Sequence, residues 1–293
     1  MFLLGIKLMS DNFKGLVSTS FKNKINSFTS NKLLGVLTGI VVTAILHSSS
    51  ATTLIVIGLV HSNVLSLYNA VPIIMGANIG TTFTSQLVAF NFDLNPMYLL
   101  LLGIFLYFLF RKTKFNYVSK LVISISLIFL GLNFISGSIT PLKDNDHFYN
   151  FISFISKNRL FSLIGGAVLT AIIQSSTTGI AMIQIMATNG LISVKSSIPI
   201  VIGQNIGTCL DTVIGGFATN KSGRQTALVH VLFNLIGSFV FFFLMDYIYI
   251  AVTYLSPDNI SRQIANTHTV FNLLSTIILL PFSNTIANIT KKI

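Results

Sequence analysis

The sequence has no glutamate, a single cysteine and little charge of any kind: of 293 residues only 9% are charged, and seven aspartates are the sole acidic side chains. Soluble domains carry about 25% charged residues, and a chain of this size still exposes much of its surface. With 52% hydrophobic residues and a mean hydropathy of +0.80, the chain cannot hide its apolar groups in one core, which excludes a soluble enzyme. The solvent must be lipid. The lone Cys209 excludes an internal disulfide framework and any multi-cysteine metal site. A cleavable signal peptide is not expected, because Met1 to Met9 lacks a basic start and a small-residue cleavage site.

The charge that is present has a pattern. Eighteen Lys and Arg give a formal net charge of +11 and sit in short groups between apolar runs rather than along one stripe. They read as topology signals, not as a nucleic-acid footprint. Apolar stretches fall near 1–20, 32–61, 64–90, 94–110, 117–137, 160–190, 194–218, 225–254 and 264–288, with charged breaks at 22–32, 111–114, 143–159, 221–224 and 258–262. Backbone groups facing lipid are satisfied only in helices or a closed barrel, and these runs lack strand alternation. An all-α polytopic membrane protein is predicted. The first stretch holds Lys7 and Asp11 and is expected to form a short span or an interfacial helix.

The chain also repeats itself. TAILHSSS at 43–50 matches TAIIQSST at 170–177, and GANIGT at 76–81 matches GQNIGT at 203–208. Both offsets are 127 residues, kept by Pro72 and Pro199, and LGIKLMS at 4–10 echoes LGLNFIS at 130–136. A single domain over 1–293 is expected, with one repeat over about 1–116, a second over about 117–225 and closing helices over about 226–293.

Residues 32–61 are apolar except for HSSSATT at 47–53. The arms on either side, Leu33 to Leu46 and Ala51 to Val60, would be about 21 Å and about 15 Å long as helices, short of a bilayer core of about 30 Å. A re-entrant helical hairpin is predicted, with Ser48, Ser49, Ser50, Thr52, Thr53 and free backbone N–H groups near the midplane. The same reading fits 160–190 around Gln174, Ser175, Ser176, Thr177 and Thr178. Three full crossings between the hairpins, at 64–90, 94–110 and 117–137, are an odd number and invert the second repeat. The pairs Gly76 with Gly80 and Gly203 with Gly207 predict a broken transmembrane helix in each repeat. With the 10–32 loop inside, twelve basic residues fall inside and five outside, against eleven and six if the hairpins cross fully. Two inverted repeats with broken helices at midplane are the architecture of secondary transporters. No Lys or Arg lies in the repeated motifs, so an anion there would be held by helix dipoles and hydroxyls, and a small cation by carbonyls and hydroxyls.

These paired motifs resemble those of the sodium/phosphate cotransporter family, which includes the type II sodium-dependent phosphate transporters and their bacterial relatives. That family carries a QSSS or QSST motif in each half, each followed by G-x-N-I-G-T. The resemblance spans about residues 2–285, and HVLFNLIG at 230–237 and HTVFNLLS at 268–275 are similar to the family's helices after the second repeat. It implies a multi-pass protein of the plasma or inner membrane that imports inorganic phosphate, is no enzyme, and uses sodium ions for coupling without another cofactor. By motif, it implies that Ser48, Ser49, Ser50, Thr52, Ser175, Ser176 and Thr177 contact phosphate, and that Gln174, Asn78, Thr81, Asn205 and Thr208 hold sodium. Three features depart from the family pattern, the first a short N-terminus with an incomplete first helix expected. His47 stands where the family has Gln, with pH sensing or neutral packing as its expected roles. The sequence ends at Ile293 without the soluble regulatory domain resembling PhoU that many bacterial relatives carry. The expected partners are phosphate, sodium and the lipid bilayer; nucleic acid is excluded and homo-oligomerisation is left open.

Asp211 takes the place of Thr84 in the other repeat, and a carboxylate at this depth is functional by default, so it joins the cation-binding set. Asp246, among Phe, Leu and Tyr in FFFLMDYIYI, is expected either to face the interior or to lie near the interface. His230 with Asn234, and His268 with Asn272, each share a helical face and are expected to cross-link helices. An intramembrane serine hydrolase needs one serine activated by a base; serines in both halves, Gln174 opposite His47 and no GxSxG elbow argue against it. Two alternatives remain beside sodium-coupled phosphate import. One is a non-transporting phosphate sensor or scaffold, and the other a proton-coupled carrier of another tetrahedral anion, sulfate or arsenate, using His47 and Asp211.

Overall fold

The computed structural model describes residues 29–90, 95–113, 116–139, 141 and 145–292, so the expected first helix and the echo at 4–10 lie outside the described residues. Among the described residues the elements are helices without strands. In the first half these are α1 (Lys32–Leu46), α2 (Ser49–His61), α3 (Leu67–Val88), α4 (Pro96–Phe110) and α5 (Asn116–Ile139). After α6 (Asp146–Lys157) come α7 (Arg159–Ile173), α8 (Ser176–Thr188), α9 (Val194–Gly207) and α10 (Cys209–Phe217). The closing set is α11 (Lys221–Phe243), α12 (Met245–Leu255), α13 (Ile260–Leu279) and α14 (Ser283–Lys292). α6 falls where the sequence predicts only a charged break, and α4 has 15 residues, about 22 Å, where a full crossing is expected.

Short polar residues set the boundaries. Asn31, Ser48 and Ser66 accept from backbone N–H groups at the starts of α1, α2 and α3, and Asn158, Ser175 and Ser193 do so for α7, α8 and α9. Each pair is 127 residues apart, so the repeat is written in the caps as well as in the motifs.

α1 lies along α3, and α7 along α9. Glycine makes both crossings close. A Cβ on Gly76 would strike the Val36 carbonyl, one on Gly203 the Leu163 carbonyl, and one on Gly39 or Gly166 the facing backbone at Ile73 or Ile200. Small residues at such a crossing let backbones approach where lipid offers no hydrophobic drive.

That use of glycine overturns the expected helix breaks. α3 runs unbroken for 22 residues through GANIGT. In the second half only Thr208 separates α9 from α10; its dihedrals (φ −64, ψ −19) are helical and its N–H still bonds the Gln204 carbonyl. The polar side chains expected to line a break bond back to their own helix instead. Asn78 Nδ2 donates to Ile74 O at 2.9 Å, Thr81 Oγ1 to Ala77 O at 3.2 Å, Asn205 Nδ2 to Val201 O at 2.9 Å and Thr208 Oγ1 to Asn205 O at 2.6 Å.

Among the described residues, three stretches are long and apolar enough to cross a membrane: Asn116–Ile139, Val194–Phe217 and Lys221–Phe243; α13 and α14, bent by 81°, would make a fourth. α11, at 23 residues or about 34 Å, serves as a ruler. Beside its first turn lies the end of α2, where the Asn220 N–H donates to His61 Nδ1 and Asn220 Nδ2 to His61 O, both at 3.2 Å. α14 packs on α11 and α3. It is pinned to the start of α3, with Tyr68 OH donating to Asn288 Oδ1 at 2.8 Å and Lys291 Nζ to Tyr68 OH at 3.1 Å. The start of α1 reaches the α13–α14 joint through Lys32 Nζ and Pro281 O at 3.5 Å.

Beyond the far end of α11, Asp246 in the first turn of α12 accepts from Arg159 at the start of α7 (2.7 Å) and pairs with Lys195 at the start of α9 (3.1 Å). The hydrogen bonds from Arg159 and then Lys195 hold the exposed Asp246 carboxyl below the usual carboxylate range. A lowered pKa contributes stability above the unfolded carboxylate value and loses it as pH falls through the folded value. Exposed pairs are screened, however. Asp246→Asn is therefore expected to move the thermal midpoint in detergent by no more than about 2 °C at pH 7, with no difference left in acid; a larger shift would make this cluster a main anchor of the second repeat.

Candidate anion and cation site at the two helix tips

The same turn is built twice. His47 ends α1 in the left-handed region (φ 51, ψ 27), and Gln174 ends α7 there too (φ 55, ψ 29), each with its N–H on the carbonyl of Thr43 or Thr170. Ser48 (φ −153, ψ 110) and Ser175 (φ −154, ψ 104) then start α2 and α8. Left-handed backbone at a non-glycine residue costs about 1–2 kcal/mol. Finding it at equivalent positions in both repeats marks the turn as a constrained feature rather than an accident.

At each tip the cap serine covers only part of the helix end. Ser48 Oγ accepts from the Ala51 N–H at 3.1 Å and Ser175 Oγ from the Thr178 N–H at 3.3 Å. The N–H groups of Ser49 and Ser50, and of Ser176 and Thr177, have no acceptor among the described residues, as expected for the first turn of a helix. Ser49, Ser176 and Thr177 are buried. Ser175 Oγ also lies 3.1 Å from Thr177 Oγ1 and 2.8 Å from Thr178 Oγ1. Thr52 faces its own first arm, accepting from Thr43 Oγ1 at 2.8 Å and donating to Ser48 O at 3.1 Å.

The predicted cation residues separate. Ser50 Oγ donates to Asp211 Oδ2 at 3.0 Å, joining the first tip to the second repeat across 161 residues. His47 is buried with Nδ1 3.0 Å from Thr84 Oγ1, whereas its counterpart Gln174 is exposed. Asn205 Oδ1 accepts from Asn272 Nδ2 at 3.1 Å. No hydrogen bond joins Ser48–Ser50 directly to Ser175–Thr177 among the described residues.

The closing helices lock the repeats together. His268 Nδ1 on α13 lies 3.2 Å from Ser85 Oγ, and His230 Nδ1 on α11 lies 2.9 Å from Thr212 Oγ1. Ser85 and Thr212 are again 127 residues apart, so each H-x-x-F-N helix docks on the equivalent position of a different repeat, as cross-linking groups should.

Sequence reasoning misses Gln204. It is fully buried, and neither amide atom has a hydrogen-bond partner; the Thr170 hydroxyl opposite is likewise unpartnered among the described residues. A Cβ on Gly179 would lie 2.8 Å from Gln204 Nε2 and 3.4 Å from Thr170 Oγ1. The first repeat has Thr52 for Gly179 and Ala77 for Gln204, and its Thr43–Thr52 pair fills the equivalent space. The signal was present in the 127-residue register: threonine with alanine exchanges for glycine with glutamine.

Long apolar helices, matched tips and a polar interior define an all-helical, multi-pass membrane protein. The chain belongs to the Na+/Pi-cotransporter family, whose sequence profile matches residues 1–137 and 142–256. It is 32% identical over 290 residues to "Uncharacterized protein YqeW" of Bacillus subtilis, covering 97% of this chain and 92% of that one. It is 27% identical over 266 residues to "Putative inorganic phosphate export protein YjbB" of Escherichia coli, covering 89% of this chain but only 48% of that protein. A 64-residue stretch, 22% of this chain and 9% of the relative, is 50% identical to "Sodium-dependent phosphate transport protein 2B" of Homo sapiens. No solved structure matches the chain.

Proposed function

We propose that the protein imports inorganic phosphate by coupling it to sodium, binding the anion between the two helix tips. The observation that carries this reading is the duplicated helix start, with open N–H groups at Ser49, Ser50, Ser176 and Thr177 and no basic side chain in either motif. Two helix N-termini offer partial positive charge and donors to a dianion without the fixed cation that would retain it. The capping hydroxyls of Ser48 and Ser175 accept from the backbone and keep a proton to donate.

The membrane arrangement follows from which ends meet. The end of α2 adjoins the start of α11, α14 ties the starts of α1 and α3 to that side, and the starts of α7 and α9 meet beyond the far end of α11. These contacts support α1–α2 and α7–α8 as re-entrant hairpins entering from opposite sides, hence inverted repeats. With Lys32, Lys221, Arg224, Lys291 and Lys292 together, the α14 side is the cytoplasmic one. Asp211, held to the first tip by Ser50, belongs to the cation site, with Thr208 less than one helical turn before it and Asn205 nearly two; Asn78, Thr81 and Gln174 complete the proposed sodium set. An inward sodium gradient then drives phosphate inward.

Labelled phosphate and the purified chain in proteoliposomes test this. An imposed sodium gradient is expected to drive accumulation, and a potassium gradient none; no accumulation under sodium would overturn the proposal. The name of the Escherichia coli relative, "Putative inorganic phosphate export protein YjbB", favours export as a second reading. Preloaded vesicles that lose phosphate against an opposing sodium gradient would select it.

A further inference from the structure

A cavity of about 580 Å³ opens between α10, α11 and α14, lined by none of the tip serines or threonines. Val213, Phe217 and Val231 give it apolar walls, while Lys221 and Arg224 stand at its edge. Both basic side chains are exposed and lie three residues apart in the first turn of α11, where they are neighbours on the helix surface. Neither has an ion pair or a side-chain hydrogen bond among the described residues. Placing two unpaired cations at the positive end of a helix is unfavourable unless an anion joins them.

The depth of these groups identifies the occupant. α11 is long and apolar enough to cross the bilayer; a crossing over its full length would set its first turn at headgroup level, with Val231 toward the hydrocarbon. α14 closes the cavity through Thr290, buries Ile286 and Ala287, and presents Lys291 and Lys292 at its end, as an interfacial helix does. A free phosphate ion could use the two cations but would leave the apolar wall wet. An anionic phospholipid satisfies both.

We propose that this cavity binds an anionic phospholipid, with Lys221 and Arg224 on the headgroup phosphate and an acyl chain along Val213, Phe217 and Val231. Basic pockets between helices at the cytoplasmic face suit such headgroups. The site is separate from the tips, and its test does not depend on transport.

The purified full chain, stripped of lipid in detergent, is offered phosphatidylglycerol or phosphatidylcholine and its retained adducts are counted by native mass spectrometry. Phosphatidylglycerol adducts are expected at least tenfold in excess over phosphatidylcholine. Lys221→Gln combined with Arg224→Gln is expected to remove that excess, and Val231→Trp, which fills the apolar wall and keeps both cations, to remove it as well. Both variants are expected to melt with the wild type, so a lost excess reports binding and not unfolding. Equal adducts with the two lipids, or an excess unchanged in the charge variant, would overturn the proposal. So would displacement of phosphatidylglycerol by inorganic phosphate together with wild-type binding in Val231→Trp, which would assign the two cations to free phosphate.

Discussion

An alanine at Gly203 is expected to cost about 3 kcal/mol and to lower the thermal midpoint in detergent by about 6–10 °C. The new methyl group would strike the Leu163 carbonyl, which is backbone and cannot rotate away, so α7 and α9 must part along their contact. Overpacking costs most when the neighbour cannot yield. Gly76→Ala is expected to behave alike, because its methyl group meets the Val36 carbonyl between α1 and α3. Gly58 and Gly137 supply the control: each is helical, and a Cβ there meets nothing within 4 Å. Alanine at those two positions is expected to stabilise by about 0.5–1 kcal/mol, the gain from removing glycine's backbone freedom. A Gly203→Ala protein that melts with the wild type would show that the helices do not approach closely enough for glycine to be required.

These glycines also show where reading the sequence stops. The 127-residue register locates both polar motifs in the sequence; the close crossings and the three pairs of caps keep the same register but show only in the structure, because a duplicated segment carries its local chemistry with it. Glycine, however, serves equally to break a helix or to let one approach another, and spacing alone does not choose. The choice depends on whether a second backbone lies opposite, as Val36 does for Gly76. Likewise, His230 and His268 read as cross-links from their helical face, but which repeat each one grips is set by topology. The bond from Ser50 to Asp211 joins residues 161 apart in different repeats, and no periodicity encodes it. Gln204 was legible only as a departure from the repeat, and its meaning appears when Gly179 is seen to make room for it.

Ser49→Ala and Ser176→Ala are each expected to abolish phosphate uptake while the protein stays in the membrane. Each hydroxyl is buried at the first position of its helix, beside N–H groups without acceptors, so its removal takes a donor from the proposed anion site and leaves the cap serine in place. Asp211→Asn should act differently. The bond from Ser50 ends on a carboxylate, and hydrogen bonds to charged groups contribute about 1.5–3 kcal/mol. If that carboxylate also faces sodium, its loss should raise the half-saturating sodium concentration at least about tenfold. Ser50→Ala removes the same bond but keeps the charge, so it should raise the sodium requirement less, and the double variant should do no worse than Asp211→Asn alone. Full uptake in both serine variants would sink the anion site, and an unchanged sodium response in Asp211→Asn would take that residue out of coupling. The two results are independent, because the serines address the anion directly whereas Asp211 acts on the first tip from the other repeat. A loss confined to the sodium response would therefore mean that the cation holds the two repeats in register for the anion.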